Sequence, residues 1–122
     1  MGMRTSARER GYSARWDRTA ALFKLQHPLC LGCSAIGLVT ATEVVDHVVP
    51  HKGDADVFWD QARWQPACRW HHDVVKQLLE VMFARGAVVP ADLWLDSSRA
   101  IAITNQQRVA VGDDGWPVER QG

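Results

Sequence analysis

The sequence predicts a small α+β domain, and three observations predict it. Tyr12, Trp16, Ala20 and Phe23 recur at helical spacing, Val75, Leu78, Leu79 and Met82 form a second helical stripe, and residues 35–39 and 43–49 are two runs rich in β-branched and apolar side chains. Between the helical segments lie a Cys30-x-x-Cys33 pair and a Cys68-x-x-His71 pair.

At 122 residues the chain has room for one domain with a modest core. Residues 1–28 read as a basic N-terminal helix, 29–85 as the core and 86–122 as a C-terminal extension. The first helix, over 11–27, should end at Pro28, whose ring disfavours helix in the residue before it. "PLCLGCSAIG" then reads as a turn, with Cys30 and Cys33 flanking Gly32. "AIGLV" and "EVVDHVV", joined by a short polar connection, predict a hairpin that Pro50 ends. A loop follows, with one helical turn at Ala55 to Asp60. The second helix is expected over 69–85, closed by Gly86. "VVPADLWLDSS" reads as a short helix, "AIAITNQQRVAV" as a strand or loose extension, and "GDDGWPVERQG" as a surface tail.

Lys plus Arg and Asp plus Glu both number 14, so net charge argues for neither nucleic acid nor membrane. The distribution is uneven. Arg4, Arg8, Arg10, Arg15, Arg18 and Lys24 face only Glu9 and Asp17 within residues 1–24. Such an arm can follow phosphates or form a solvated helix face. No apolar run approaches the roughly 18 residues of a membrane span, and the Arg-rich start lacks a signal peptide's apolar segment. A soluble, cytoplasmic protein is therefore expected.

Three cysteines cannot form a closed disulfide framework. Cys30, Cys33, Cys68 and His71 instead form two half-sites separated by 34 residues, which supply the four N and S ligands of a tetrahedral Zn²⁺ ion. A thioredoxin-like dithiol is the competing reading of the first pair, but no βαβ pattern surrounds it; buried packing cysteines are the other. His72 follows a ligand and points about 100° away along a helix, so it needs a different partner. Asp46 and His47 are candidates. In a Val-rich strand such a pair must be satisfied, either as a core histidine beside a carboxylate or as a metal ligand beside a general base. His51 reads as a solvated loop histidine after Pro50, or as a contact to phosphate or metal. Trp59, Trp64 and Trp70 read as packing around the zinc.

In order, "RGYSARW", "HPLCLGC", "VVDHVVPHKGD", "FWD", "WQPAC", "HHDVVKQ" and "DGWPV" resemble the HNH endonucleases of the ββα-metal fold, in particular small phage-type members found near DNA-packaging genes. The resemblance covers most of the chain. It implies a ββα-metal core with zinc knuckles, DNA as substrate and a phage terminase or packaging protein as partner. Carried over to this chain, it makes His47 the general base. Asp46 and His72 become ligands of a catalytic Mg, Mn or Ni ion, separate from the structural zinc, and hydrolysis would leave 5′-phosphate and 3′-hydroxyl ends. Beside that site, Lys52, Lys76 and Arg15 read as phosphate contacts, with plain exposed lysines as the other reading of Lys52 and Lys76. There are two departures. His71 stands where the knuckle usually has a cysteine, and Arg63 stands where the family has a central Asn that orients the loop and supports the base. Arg63 offers donors but no side-chain acceptor, so it is expected either to hold phosphate or to leave His47 poorly oriented. The alternative is a catalytically weak, zinc-stabilised domain that binds DNA or a packaging protein.

Overall fold

The computed structural model describes the backbone of residues 7–111 and the side chains of residues 13–108. Arg4, the side chains of Arg8, Arg10 and Tyr12, and the tail from 112 onward, all named above, lie outside the described residues.

The first helix, α1, spans Ala7–Gln26. Ala20 and Phe23 are buried and Trp16 packs beside them, as the helical spacing predicts. Past Pro28, which has no N–H, Thr42 takes over the helix end: its N–H donates to the Pro28 carbonyl (2.9 Å) and its hydroxyl to the His27 carbonyl (2.6 Å).

The short helix α2, Leu31–Ala35, carries Cys33 and is capped by the Cys30 sulfur. It ends in a Schellman arrangement: Gly37, at φ +79°, donates to the Ser34 carbonyl and Leu38 to the Cys33 carbonyl. Residues 35–39 are therefore not a strand, because their donors are spent closing the helix. The predicted hairpin is corrected accordingly. Strand β1, Val44–His47, pairs antiparallel with β2, Trp64–Ala67, in the register Val44 with Ala67 and His47 with Trp64. The partner comes from 20 residues downstream in sequence, beyond α3, Ala55–Phe58, and a 3₁₀ turn at Gln61–Arg63. Pro66 pairs with Val45. It is tolerated because each strand of a two-stranded sheet is an edge.

A helical run over 69–84 follows β2 at once. After a first α-helical step at 69–70 it passes through a π turn at His71–Lys76 and continues as α4, Gln77–Ala84, ending before Gly86 at φ +73°. Val75 and Leu79 of the predicted stripe are fully buried, whereas Leu78 is exposed. Pro90–Leu93 form a 3₁₀ turn.

The C-terminal segment departs from the strand or loose extension expected: it is helix α5, Ser98–Val111. The Ser97 hydroxyl accepts the Ala100 N–H (3.0 Å), and Ala100, Ile103 and Thr104, at i, i+3 and i+4, are buried. A capped, buried face outweighs the weak strand preference of isolated Ile and Val. The main core joins Val48, Ala67, Val75, Leu79, Leu95 and Ile103, so α4 and α5 share one apolar centre with the C-terminal ends of both strands. A second cluster, on α1 and the sheet, holds Phe23, Val45 and Trp64. No helix among the described residues is long and apolar enough to cross a membrane.

Candidate metal centre and cleft

Cys30, Cys33, Cys68 and His71 are all buried, and their ligand atoms lie within 4.8 Å of one another. Nδ1 of His71 is 3.6 Å from the Cys30 sulfur and 3.4 Å from those of Cys33 and Cys68, and the Cys33 and Cys68 sulfurs are 3.8 Å apart. A tetrahedron with Zn–S near 2.3 Å and Zn–N near 2.1 Å has edges of about 3.8 Å between sulfurs and about 3.6 Å from sulfur to nitrogen. The donor set therefore fits zinc.

Without a cation, three thiols at this spacing cannot all ionise. The hydrogen bond with Cys68, then that with His71, draws Cys30 down to about 3 against its burial. Cys68 is pushed up, first by that same bond to Cys30 and then by burial, and Cys33 is pushed up by burial. A divalent ion would relieve the competition by taking all three thiolates.

Two features outside the four ligands shape this centre. Gly32 lies so close to the His71 ring that a β-carbon there would overlap it. Thr104 of α5, fully buried, brings its Oγ1 to 3.3 Å from His71 Nε2 while donating to the Ala100 carbonyl. It can then accept the Nε2–H, which leaves Nδ1 unprotonated for metal. Thr104 carries no sequence signal, since its role depends on a helix that local propensity does not suggest. Of the tryptophans expected around the zinc, only Trp70 packs there; Trp59 and Trp64 cluster with Trp16 and His47 on the other side of the sheet.

His72 turns away from the cysteines. Its Nδ1 is 2.9 Å from the Asp73 carboxylate, which keeps the proton there, and its Nε2 is 3.7 Å from Oδ1 of Asp46. Asp46 is almost wholly buried. Its other oxygen accepts from Gln65 (2.8 Å) and from Lys76 (3.0 Å). Burial pushes the Asp46 carboxyl up, and Lys76, Gln65 and His72 pull it back. Gln65 is itself fully buried and satisfied, since it also donates to the Leu93 carbonyl and accepts from Leu95 N–H. It thereby ties the turn after α4 to the carboxylate.

His47, the last residue of β1, stacks on Trp16 with ring centres 5.2 Å apart. Its Nε2 donates to the Phe58 carbonyl (3.0 Å), which also accepts the Trp64 indole N–H. Nδ1 is left as the basic nitrogen. Burial holds His47 below the ordinary imidazole range, partly offset by the bond to Phe58. A cleft of roughly 380 Å³ is lined by Asp46, His47, His51, Lys52, His72 and Glu80, among others. Asp46 and His47 are strand neighbours, yet both border it, because β1 ends at His47 and the chain bends at once.

Two of the expected residues fall elsewhere. Lys76 is fully buried, with its ammonium committed to the His47 carbonyl (2.8 Å), Asp46 and Glu80 (2.7 Å). It is an internal counter-ion and does not face a phosphate. Arg63 does not border the cleft; it is exposed, 3.6 Å from Asp60, and lines a separate groove with Val49 and Trp94. Arg63 makes no contact with the His47 ring here; the Phe58 carbonyl accepts from that ring. Lys52 is exposed at the rim with φ +48°, His51 accepts Gly53 N–H through Nδ1, and Arg15 lies 3.9 Å over the Trp59 ring. Glu80 and Asp73 were not anticipated, as carboxylates on an exposed helix face carry no special pattern.

Searches against protein-family models, curated proteins and solved structures found no match to this chain.

Proposed function

We propose that this protein is a metal-dependent endonuclease that hydrolyses DNA phosphodiester bonds, built on a ββα-metal core of the HNH type. The observation that carries this reading is the approach of His72 Nε2 to Asp46 Oδ1, 3.7 Å apart, in the cleft that His47 also borders. A carboxylate oxygen and an imidazole nitrogen at that spacing suit one divalent ion such as Mg, Mn or Ni. The chain order also supports it: two antiparallel strands are followed directly by the helix that carries His72.

In this reading His47 removes a proton from water through Nδ1, since Nε2–H is held by the Phe58 carbonyl. Asp46 and His72 would hold the ion, which supplies Lewis-acid stabilisation of charge on the phosphate and leaving oxygen. Lys52 and Arg15, both exposed, are the groups available to contact the DNA backbone. The products carry 5′-phosphate and 3′-hydroxyl ends. The zinc centre takes no part in chemistry; it fixes the start of the helix, and so the direction of His72. Resemblance to phage-type members makes a packaging protein or terminase the proposed partner.

The test is nicking of supercoiled plasmid by the zinc-loaded protein with added Mg²⁺, Mn²⁺ or Ni²⁺. Absence of cleavage with all three would overturn the reading. One observation favours a second: the Lys76 ammonium already neutralises Asp46 at 3.0 Å. A zinc-stabilised domain that holds DNA or a packaging protein without cutting it would retain plasmid in a gel-shift assay and leave it intact.

A further inference from the structure

Lys76 is the least expected side chain behind the cleft, buried under Asp46, His47 and Glu80, which line it. Lysine is almost never fully buried unless paired, and here all three ammonium hydrogens are matched by oxygens: the His47 carbonyl at 2.8 Å, Asp46 Oδ2 at 3.0 Å and Glu80 Oε2 at 2.7 Å. Two of the three belong to successive residues, the carboxylate of one and the main chain of the next. A neutral donor would suffice to satisfy the carbonyl. A buried cation is warranted where carboxylates converge, and Asp46 and Glu80 do so on this one group.

A strand would send the side chains of residues 46 and 47 to opposite faces. Here β1 stops at His47, and the carbonyl at the stop is the one Lys76 holds. The ammonium also takes Oδ2 of Asp46 and leaves Oδ1 on the side of His72. Glu80, one helical turn after Lys76, lines the cleft with Asp46, but its Oε2 is drawn to the ammonium at 2.7 Å.

We propose that Lys76 is the positioning residue of the cleft: it locks the Asp46 carboxylate and the His47 main chain into one arrangement and withholds Glu80 from the divalent ion. This rests on the nuclease reading above, because the ion is the one that reading assigns to Asp46 and His72. Lys76 touches neither substrate nor ion. It sets how negative the cleft is and which carboxylate faces the ion.

The experiment measures Mn²⁺ binding by electron paramagnetic resonance and plasmid nicking in parallel, on zinc-loaded protein. Lys76→Met removes the charge at nearly constant volume. It should tighten Mn²⁺ binding by about tenfold, since two carboxylates become available, while turnover falls by about a hundredfold, since the base has lost its anchor. A merely structural lysine would weaken both. Unchanged values, or weakening of both in protein with a full zinc content, would overturn the proposal. Glu80→Gln keeps an oxygen for Lys76 and serves where Lys76→Met does not fold. Its Mn²⁺ affinity should stay within about threefold of the parent, and a loss of tenfold or more would make Glu80 a ligand and overturn the assignment. Failure of the nuclease reading looks different: the parent protein would not cut, and Asp46→Asn would leave its Mn²⁺ signal unchanged.

Discussion

Nε2 of His71 lies 3.3 Å from the hydroxyl of Thr104, so a residue of the C-terminal helix sets the proton position of a candidate metal ligand 33 residues earlier. The candidate metal centre and the packing of α5 are therefore one unit. Thr104→Val keeps the shape and removes the acceptor. Zinc affinity should fall by about 10- to 100-fold in competition with a chromogenic chelator, and Thr104→Ser should restore it.

Removing the metal should have a larger effect than any surface change. Structural zinc contributes about 10 kcal/mol or more to folding in small domains. A strong chelator should abolish the cooperative thermal melt followed by circular dichroism; an unchanged melt would show that the four ligands are packing residues.

Gly32→Ala places a β-carbon where the His71 ring stands. The ring must move off the tetrahedron or the helix start must shift, at a cost of about 3 kcal/mol. Elemental analysis should find substoichiometric zinc in this variant, and full occupancy at parental stability would refute the close approach.

His47→Ala should reduce nicking by about 10²- to 10⁴-fold, with zinc content and melt retained. Burial lowers the His47 pKa below its ordinary 6.5, so the neutral base survives into mild acid, and the acid limb of the rate profile should lie below that value. For stability the sign is the same: a histidine whose folded pKa is depressed contributes fully above 6.5 and loses that contribution as pH falls through the folded value.

Arg63→Asn should change little. The side chain is exposed, pairs only loosely with Asp60 at 3.6 Å and stands outside the cleft. Stability should shift by no more than about 0.5 kcal/mol and nicking by no more than a few-fold, measured beside the parent. A large gain in nicking would restore to this position the role that the Phe58 carbonyl holds here.

Much of the metal centre was legible because its information is local. Cys30-x-x-Cys33 and Cys68-x-x-His71 each span one turn, so the covalent chain alone brings each pair together, and the turn of a helix sends His72 elsewhere. Helix α1 and the helical run after β2 were legible for the same reason, since apolar spacing records which face is buried. Residues 35–39 misled because β-branched composition describes a preference for extended backbone, whereas the Gly37 turn and the Cys33 carbonyl claim the donors that a strand would need.

By itself, then, the sequence determined the four candidate zinc ligands, the separation of His71 from His72 and the places of α1 and the helix after β2. Tertiary structure alone decided that β1 pairs with Trp64–Ala67, that the C-terminal segment is a helix carrying Thr104, that Lys76 is buried and that Arg63 is not in the cleft. The physical reason is range. Spacing within a turn is set by chain geometry, while strand partners, the burial of a charge and second-layer hydrogen bonds depend on segments tens of residues apart competing for the same apolar surface and the same few acceptors.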